Sequence, residues 1–178
     1  MKKYPKTKSL AFQKWFAGSK LAHDCGAPMV LYHGTENQIE AFASSERGFF
    51  GSGIYLTASK SDAEMYGQAM ELYANVQRPF YTRADYDAGE EVDFDSPAVP
   101  FIRDVLGDQA EAAIHKSLWS DGKFGREVQQ TLELMGHDGV IVRWPDGLLH
   151  VIAFYPSQIK SATLNTGEFS LEKDSIYE

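Results

Sequence analysis

The chain has 178 residues, 43% of them hydrophobic and 24% charged, with a formal net charge of −8. That is enough chain for one domain with a real core, and no apolar run approaches the roughly 18 residues a membrane span needs. The acidity speaks against broad neutralisation of nucleic-acid phosphates, which takes a basic face. The single cysteine, Cys25, has no internal disulfide partner, and the five histidines are scattered without metal-ligand spacing.

Taken in order, the basic start Met1-Lys2-Lys3 is followed by polar residues that interrupt any signal-peptide core. Ser9 is a capping residue, and Phe12, Trp15 and Phe16 fall at helical spacing, which predicts a short amphipathic helix over about 9–17. A turn over His23–Pro28 precedes an apolar strand, Met29–Tyr32, that stops at His33-Gly34-Thr35. A loop with three glycines in six residues, Gly48–Gly53, predicts positive φ angles and close backbone approach. It feeds a second strand, Ile54–Thr57, after which Ser59 opens a helical segment carrying Tyr66. Met70–Gln77 alternates as a half-buried strand ended by Arg78-Pro79; residues 82–96 read as irregular, with an acidic solvated run between Asp85 and Asp95. Helical spacing returns over 98–106, 109–118 and 124–135, the last with Val128, Leu132 and Met135 on one face. Gly139–Trp144 and Leu149–Tyr155 are strands joined by the turn Pro145-Asp146-Gly147, and residues 169–178 read as a loosely ordered tail.

Two strands and a helix thus deliver one imidazole and two phenols, an inventory suited to a planar aromatic ligand. The pieces Tyr32-His33-Gly34-Thr35, Gly53-Ile54-Tyr55-Leu56-Thr57, and a second tyrosine, Tyr66, eleven residues after Tyr55 resemble the NAD-binding core of the ADP-ribosyltransferases, the branch of the diphtheria-type toxins and poly(ADP-ribose) polymerases. Trp15-Phe16-Ala17-Gly18-Ser19-Lys20, Pro28–Thr35 and Pro156-Ser157-Gln158-Ile159-Lys160-Ser161-Ala162 are similar to the type found in phage-encoded polyvalent proteins. The resemblance implies a single α+β domain over 1–178 with an NAD-binding core over 28–168, folded as a split β-sandwich of two antiparallel sheets with flanking helices.

It also implies roles. His33 bonds a ribose hydroxyl, Gly34 offers backbone amide and carbonyl to the nicotinamide carboxamide, Thr35 belongs to the same motif, and Tyr55 and Tyr66 sandwich the ring. A serine near the second tyrosine binds the carboxamide in the family; here Ser61 is near, while Ala63 holds the matching place. Family members that elongate chains carry a glutamate where this chain has His150, so the resemblance implies mono-ADP-ribosylation rather than polymerisation. Catalysis then falls to His33, Tyr55 and His150, with NAD as co-substrate and no metal. Restoring His150→Glu is expected to raise turnover, and Asp146 or Glu168 could otherwise supply a carboxylate. The expected setting is the cytoplasm of a bacterial or phage-infected cell, as an effector or toxin, with a protein acceptor favoured over nucleic acid.

Other readings stay open. The chain could be a silent NAD- or ADP-ribose-binding module, or an NAD glycohydrolase with water as acceptor. Residue by residue, His150 can be a strand-end residue facing solvent, Gln158 a group satisfying backbone beside the closing strand, and Phe49 and Phe50 ordinary packing.

Overall fold

The computed structural model of the chain describes residues 5–90, 96–118 and 121–178. The basic run at 1–4 and residues 91–95 of the acidic run lie outside that range. The helices are α1 (Leu10–Phe16), α2 (Lys60–Glu64), α3 (Asp87–Glu90), α4 (Val99–Leu106), α5 (Ala110–Leu118) and α6 (Arg126–Leu134). The strands are β1 (Leu31–Thr35), β2 (Ile54–Thr57), β3 (Gln68–Ala74), β4 (Pro79–Arg83), β5 (Gly139–Arg143), β6 (Leu149–Ala153) and β7 (Ile159–Ser161).

Local chemistry places several of these. Ser9 caps α1, its hydroxyl accepting from the Phe12 amide at 3.1 Å, and Ser59 caps α2 by accepting from the Asp62 amide at 3.2 Å. The α1 aromatics do what their spacing predicts: Phe12 and Trp15 are buried with Tyr73 and Phe169. In α6, Val128 and Leu132 face the core, but Met135 is the helix cap and about half exposed, because the helix ends one residue before it. Residues 79–83, where Pro79 reads as a stop, form β4 instead. A proline is tolerated as a strand's first residue at a sheet edge, where no partner needs its missing N–H.

All seven strands join one sheet, in the order β4-β5-β6-β2-β1-β3-β7. This corrects the expected pair of separate antiparallel sheets in two respects: the hydrogen bonding is continuous, and β4 runs parallel to β5. The continuity is slight at one place. β1 pairs with β3 along its whole length from Leu31 to Thr35 but meets β2 at a single register pair, Tyr32 with Thr57. The sheet is also strongly curled. Three strands separate β3 from β5 in hydrogen-bonding order, a span of about 19 Å if flat, yet a Cβ placed on Gly139 of β5 would lie 2.8 Å from Val76 just past β3. Glycine is the residue that lets the two halves close.

Between the halves lie Leu31, Ile54, Leu56, Leu72, Val76, Ile141 and Val151. The other face of β5 and β6, with Val140, Val142 and Ile152, packs on Phe101 and Ile102 of α4, Ile114 of α5 and Val128 and Leu132 of α6. Buried Gln158 clasps the two halves together. Its amide nitrogen donates to Asn75 O (3.0 Å) and Asp138 O (2.9 Å), and its oxygen accepts from the Phe154 (3.0 Å) and Tyr155 (2.8 Å) amides. The Asp138 carboxylate adds bonds from the Gln77 and Arg78 amides. Gln158 therefore satisfies backbone groups, as read from the sequence.

Residues 169–178, expected to be loose, pack onto the body. Ile176 is fully buried, its amide donates to Glu40 O at 2.8 Å, and it accepts from the Ser161 amide of β7. Lys160, also fully buried, donates to Lys173 O and Ser175 O, each at 2.8 Å, and burial lowers its pKa from 10.5 to about 8.

Two measurements check this account. Gln158→Leu leaves four backbone groups without their partner and is expected to cost on the order of 3 kcal/mol in urea unfolding. Lys160 binds its proton less tightly folded (about 8) than unfolded (10.5), so its contribution makes stability rise with pH between those values. Lys160→Met is expected to remove that rise; an unchanged pH slope would contradict the buried placement.

Candidate functional site

The site grows from the weak seam. Beyond Tyr32 the facing edge of β1 has no register pair with β2, so His33, Gly34 and Thr35 line a cleft between the diverging strands. The His33 ring bridges its floor: Nδ1 lies 2.8 Å from Tyr55 O. A carbonyl only accepts, so Nδ1 carries the hydrogen and Nε2 is left as an acceptor. Phe42 packs edge-on against the same ring, with centroids 4.9 Å apart.

Tyr55 is held at its far end. Its hydroxyl donates to Gly51 O at 2.7 Å and accepts from the Phe50 amide at 3.1 Å, so the loop between the two strands wraps the phenol. Burial pushes that hydroxyl's pKa well above the ordinary tyrosine value, which keeps it protonated and excludes it as a base. What Tyr55 offers is a fixed ring. Gly51 and Gly53 take the positive φ angles expected of the loop, 86° and 152°. Phe50 is buried and Phe49 half-buried, both against the helical side of the core.

Helix α2 forms the other wall. Gly34 runs under it so closely that a Cβ there would lie 1.8 Å from Ala63 O and 3.1 Å from the Tyr66 Cβ. That contact fixes Tyr66 beside β1, with its side chain outward and 70% exposed. Ala63 is buried in this contact. Ser61 is exposed, its hydroxyl 2.9 Å from the capping hydroxyl of Ser59. Thr35 Oγ1 accepts from the Asn37 amide at 3.0 Å and so closes the turn after β1.

His150 lies in β6 opposite Thr57, and Ile152 two residues on lies opposite Tyr55, so His150 and Tyr55 share a sheet face as diagonal neighbours. Its Nε2 is 3.0 Å from Asp62 Oδ2 of α2, and Trp144 packs against its ring with centroids 5.1 Å apart. His150 is therefore not a solvent-facing strand end. Asp62 is the residue that sequence reading passes over, and Tyr66, expected on the same helix, lies two residues past the end of α2. The two carboxylates named in its stead are elsewhere. Asp146 accepts from the Leu148 amide inside its own turn, and Glu168 pairs with Lys173.

The model of a protein family described as ADP-ribosyltransferase in polyvalent proteins matches residues 23–169. The chain belongs to this family. No curated protein matches it. A solved structure described as the crystal structure of an anti-CRISPR protein is 25% identical and covers 71% of this chain and 89% of its own, with a TM-score of 0.35, too low for the backbones to be compared in detail. Two open hollows, of about 820 Å³ beside Tyr81, Arg83 and Arg143 and about 930 Å³ behind Thr35 and Gly67, are lined by neither His33, Tyr55, Tyr66 nor His150. Among the described residues no group of acidic, histidine or cysteine side chains could hold a metal ion. No helix among them is long and apolar enough to cross a membrane.

The Gly34 contact gives a clean test, because its φ lies outside the left-handed region and only steric contact is at stake. Gly34→Ala is expected to cost about 2 kcal/mol or more by forcing α2 off β1, read as a lowered urea midpoint. Stability within about 0.5 kcal/mol of the parent, the range of an ordinary surface change, would contradict the packing described.

Proposed function

We propose that the chain is an NAD-dependent mono-ADP-ribosyltransferase that moves ADP-ribose onto a protein acceptor and releases nicotinamide, acting as a phage or bacterial effector in the cytoplasm of the cell it enters or occupies. The observation that carries this reading is the open edge of β1 at His33–Thr35, facing the fixed Tyr55 ring, with Tyr66 on the opposite wall. A bound nicotinamide needs those three things: backbone groups for its carboxamide, and flat surfaces on both sides of its ring. Tyr66 makes no ring contact among the described residues, so its face is available.

In the reaction the bond between nicotinamide nitrogen and ribose C1′ breaks with its electron pair leaving on nicotinamide. The acceptor's nucleophilic atom bonds C1′ and loses its proton to solvent or to a neighbouring base. Positive charge grows on the ribose between these events, as in glycoside cleavage. His33 Nε2, the acceptor left by the Nδ1 bond to Tyr55 O, suits a ribose hydroxyl. Gly34 amide and carbonyl suit the carboxamide, with Thr35 shaping the strand end and Ser61 at the mouth of α2. The protein's net charge of −8 favours a protein acceptor over nucleic acid.

Incubation with NAD labelled in the adenosine half, together with a bacterial lysate, tests the reading. Label on a nuclease-resistant macromolecule, lost in His33→Ala, is expected. Nicotinamide release without transferred label would make the protein a glycohydrolase, and binding without release a silent module. Tyr66→Ala is expected to weaken NAD binding about tenfold, the worth of one aromatic stack, with Tyr66→Phe near the parent value in calorimetry.

A further inference from the structure

We infer that Asp62 is the carboxylate of this site and that it acts through His150, the pair standing in for a single acidic side chain. This rests on the transferase reading above and adds to it a positioning residue that the sequence motifs do not contain.

The two groups come from separate parts of the fold, α2 and β6, and meet at 3.0 Å between Asp62 Oδ2 and His150 Nε2. Both side chains are about a fifth exposed (21% and 22%), shielded enough for charge to matter and open enough to be reached. Each is held from behind. Ser59 caps the Asp62 amide, the Gly34 contact seats α2, and Trp144 packs on the imidazole. Asp62 is on the helix that ends two residues before Tyr66, and His150 is the diagonal neighbour of Tyr55.

The chemistry of the contact fixes the tautomer. An ionised carboxylate only accepts, so in the neutral imidazole the hydrogen sits on His150 Nε2 and Nδ1 presents a lone pair. Nδ1 has no hydrogen-bond partner among the described residues. It can accept from a hydroxyl of the nicotinamide ribose, as one oxygen of a carboxylate would. Neutral imidazole plus carboxylate carries one negative charge, the same as a glutamate. As positive charge develops on the sugar, the polarised imidazole presents the carboxylate's negative charge to the ribose without being protonated itself.

The geometry also reverses the expectation for His150→Glu. A glutamate there faces Asp62, and two carboxylates at that distance repel. The experiment is a double-mutant cycle on the full chain, reading the rate of nicotinamide release and the affinity for NAD. Asp62→Asn in the parent is expected to lower kcat by about 30-fold or more with affinity changed by less than about threefold, and Asp62→Glu to recover part of the loss. In the His150→Glu background the same Asp62→Asn change is expected to raise kcat, by about tenfold, because it removes the repulsion. A structural role for Asp62 moves both backgrounds the same way, and that result overturns the inference while leaving the transferase reading intact. A parent chain that neither binds nor splits NAD overturns both. Nitrogen NMR of the free protein provides a readout independent of turnover and of variant folding: the Nε2–H tautomer of His150 is expected, and the Nδ1–H tautomer overturns the pairing.

Discussion

The clasp at Gln158 is the constraint on which the rest of the molecule depends. The two halves of the sheet share one register pair at the β1–β2 seam, too little to set how they face each other. A single buried amide bonds backbone of β3's exit, β5's entry and β6's exit, with all four of its donor and acceptor positions used. Around that pin the halves close over Val76 and Gly139. A buried amide is costly unless fully bonded. Here its full bonding fixes a hinge-like geometry that apolar packing alone would leave adjustable.

The cleft lies where β1 and β2 part. The strand ends that part company carry His33 to Thr35 on one side and Tyr55 on the other, and the imidazole spans the gap to the Tyr55 carbonyl. The reactive-looking phenol is spent on structure, since its hydroxyl is locked in the preceding loop. The groups on the walls are Tyr66 and the His150–Asp62 pair, which α2 and β6 bring together although 88 residues separate the latter two in sequence. A site of this kind is cheap to vary. One helix of five residues, α2, holds the second tyrosine's approach and the carboxylate at once.

Much of this was legible in the chain. Ser9 and Ser59 announce their helices because a capping hydroxyl is a local device, and the His-Gly-Thr and Gly-Ile-Tyr-Leu-Thr runs identify the family because they are contiguous. Gln158 could be read as a backbone partner from its place beside a strand end. What stayed hidden was long-range. Pairing of β4 with β5 depends on contacts across some sixty residues, and Pro79 argues locally for a break. The tail looks like solvated polar chain until Lys160 and Ile176 are seen to anchor it from the inside. Asp62 sits in an ordinary polar helix, and only the fold shows that the strand residue opposite it is His150.

The ends of the sheet have a consequence of another kind. An open sheet offers two unpaired edges on which a second chain can add, the usual route to aggregation. At one edge, β4 starts with Pro79, which gives a neighbour no N–H to bond, and finishes with Arg83, a charge a stacking strand would have to accommodate. At the other, β7 is three residues long, and the stretch from Lys173 to Ile176 is fastened across it by Lys160 and the Ser161 amide. The chain thus keeps a sheet that can part in the middle, for the sake of the cleft, while guarding both of its margins against its own kind.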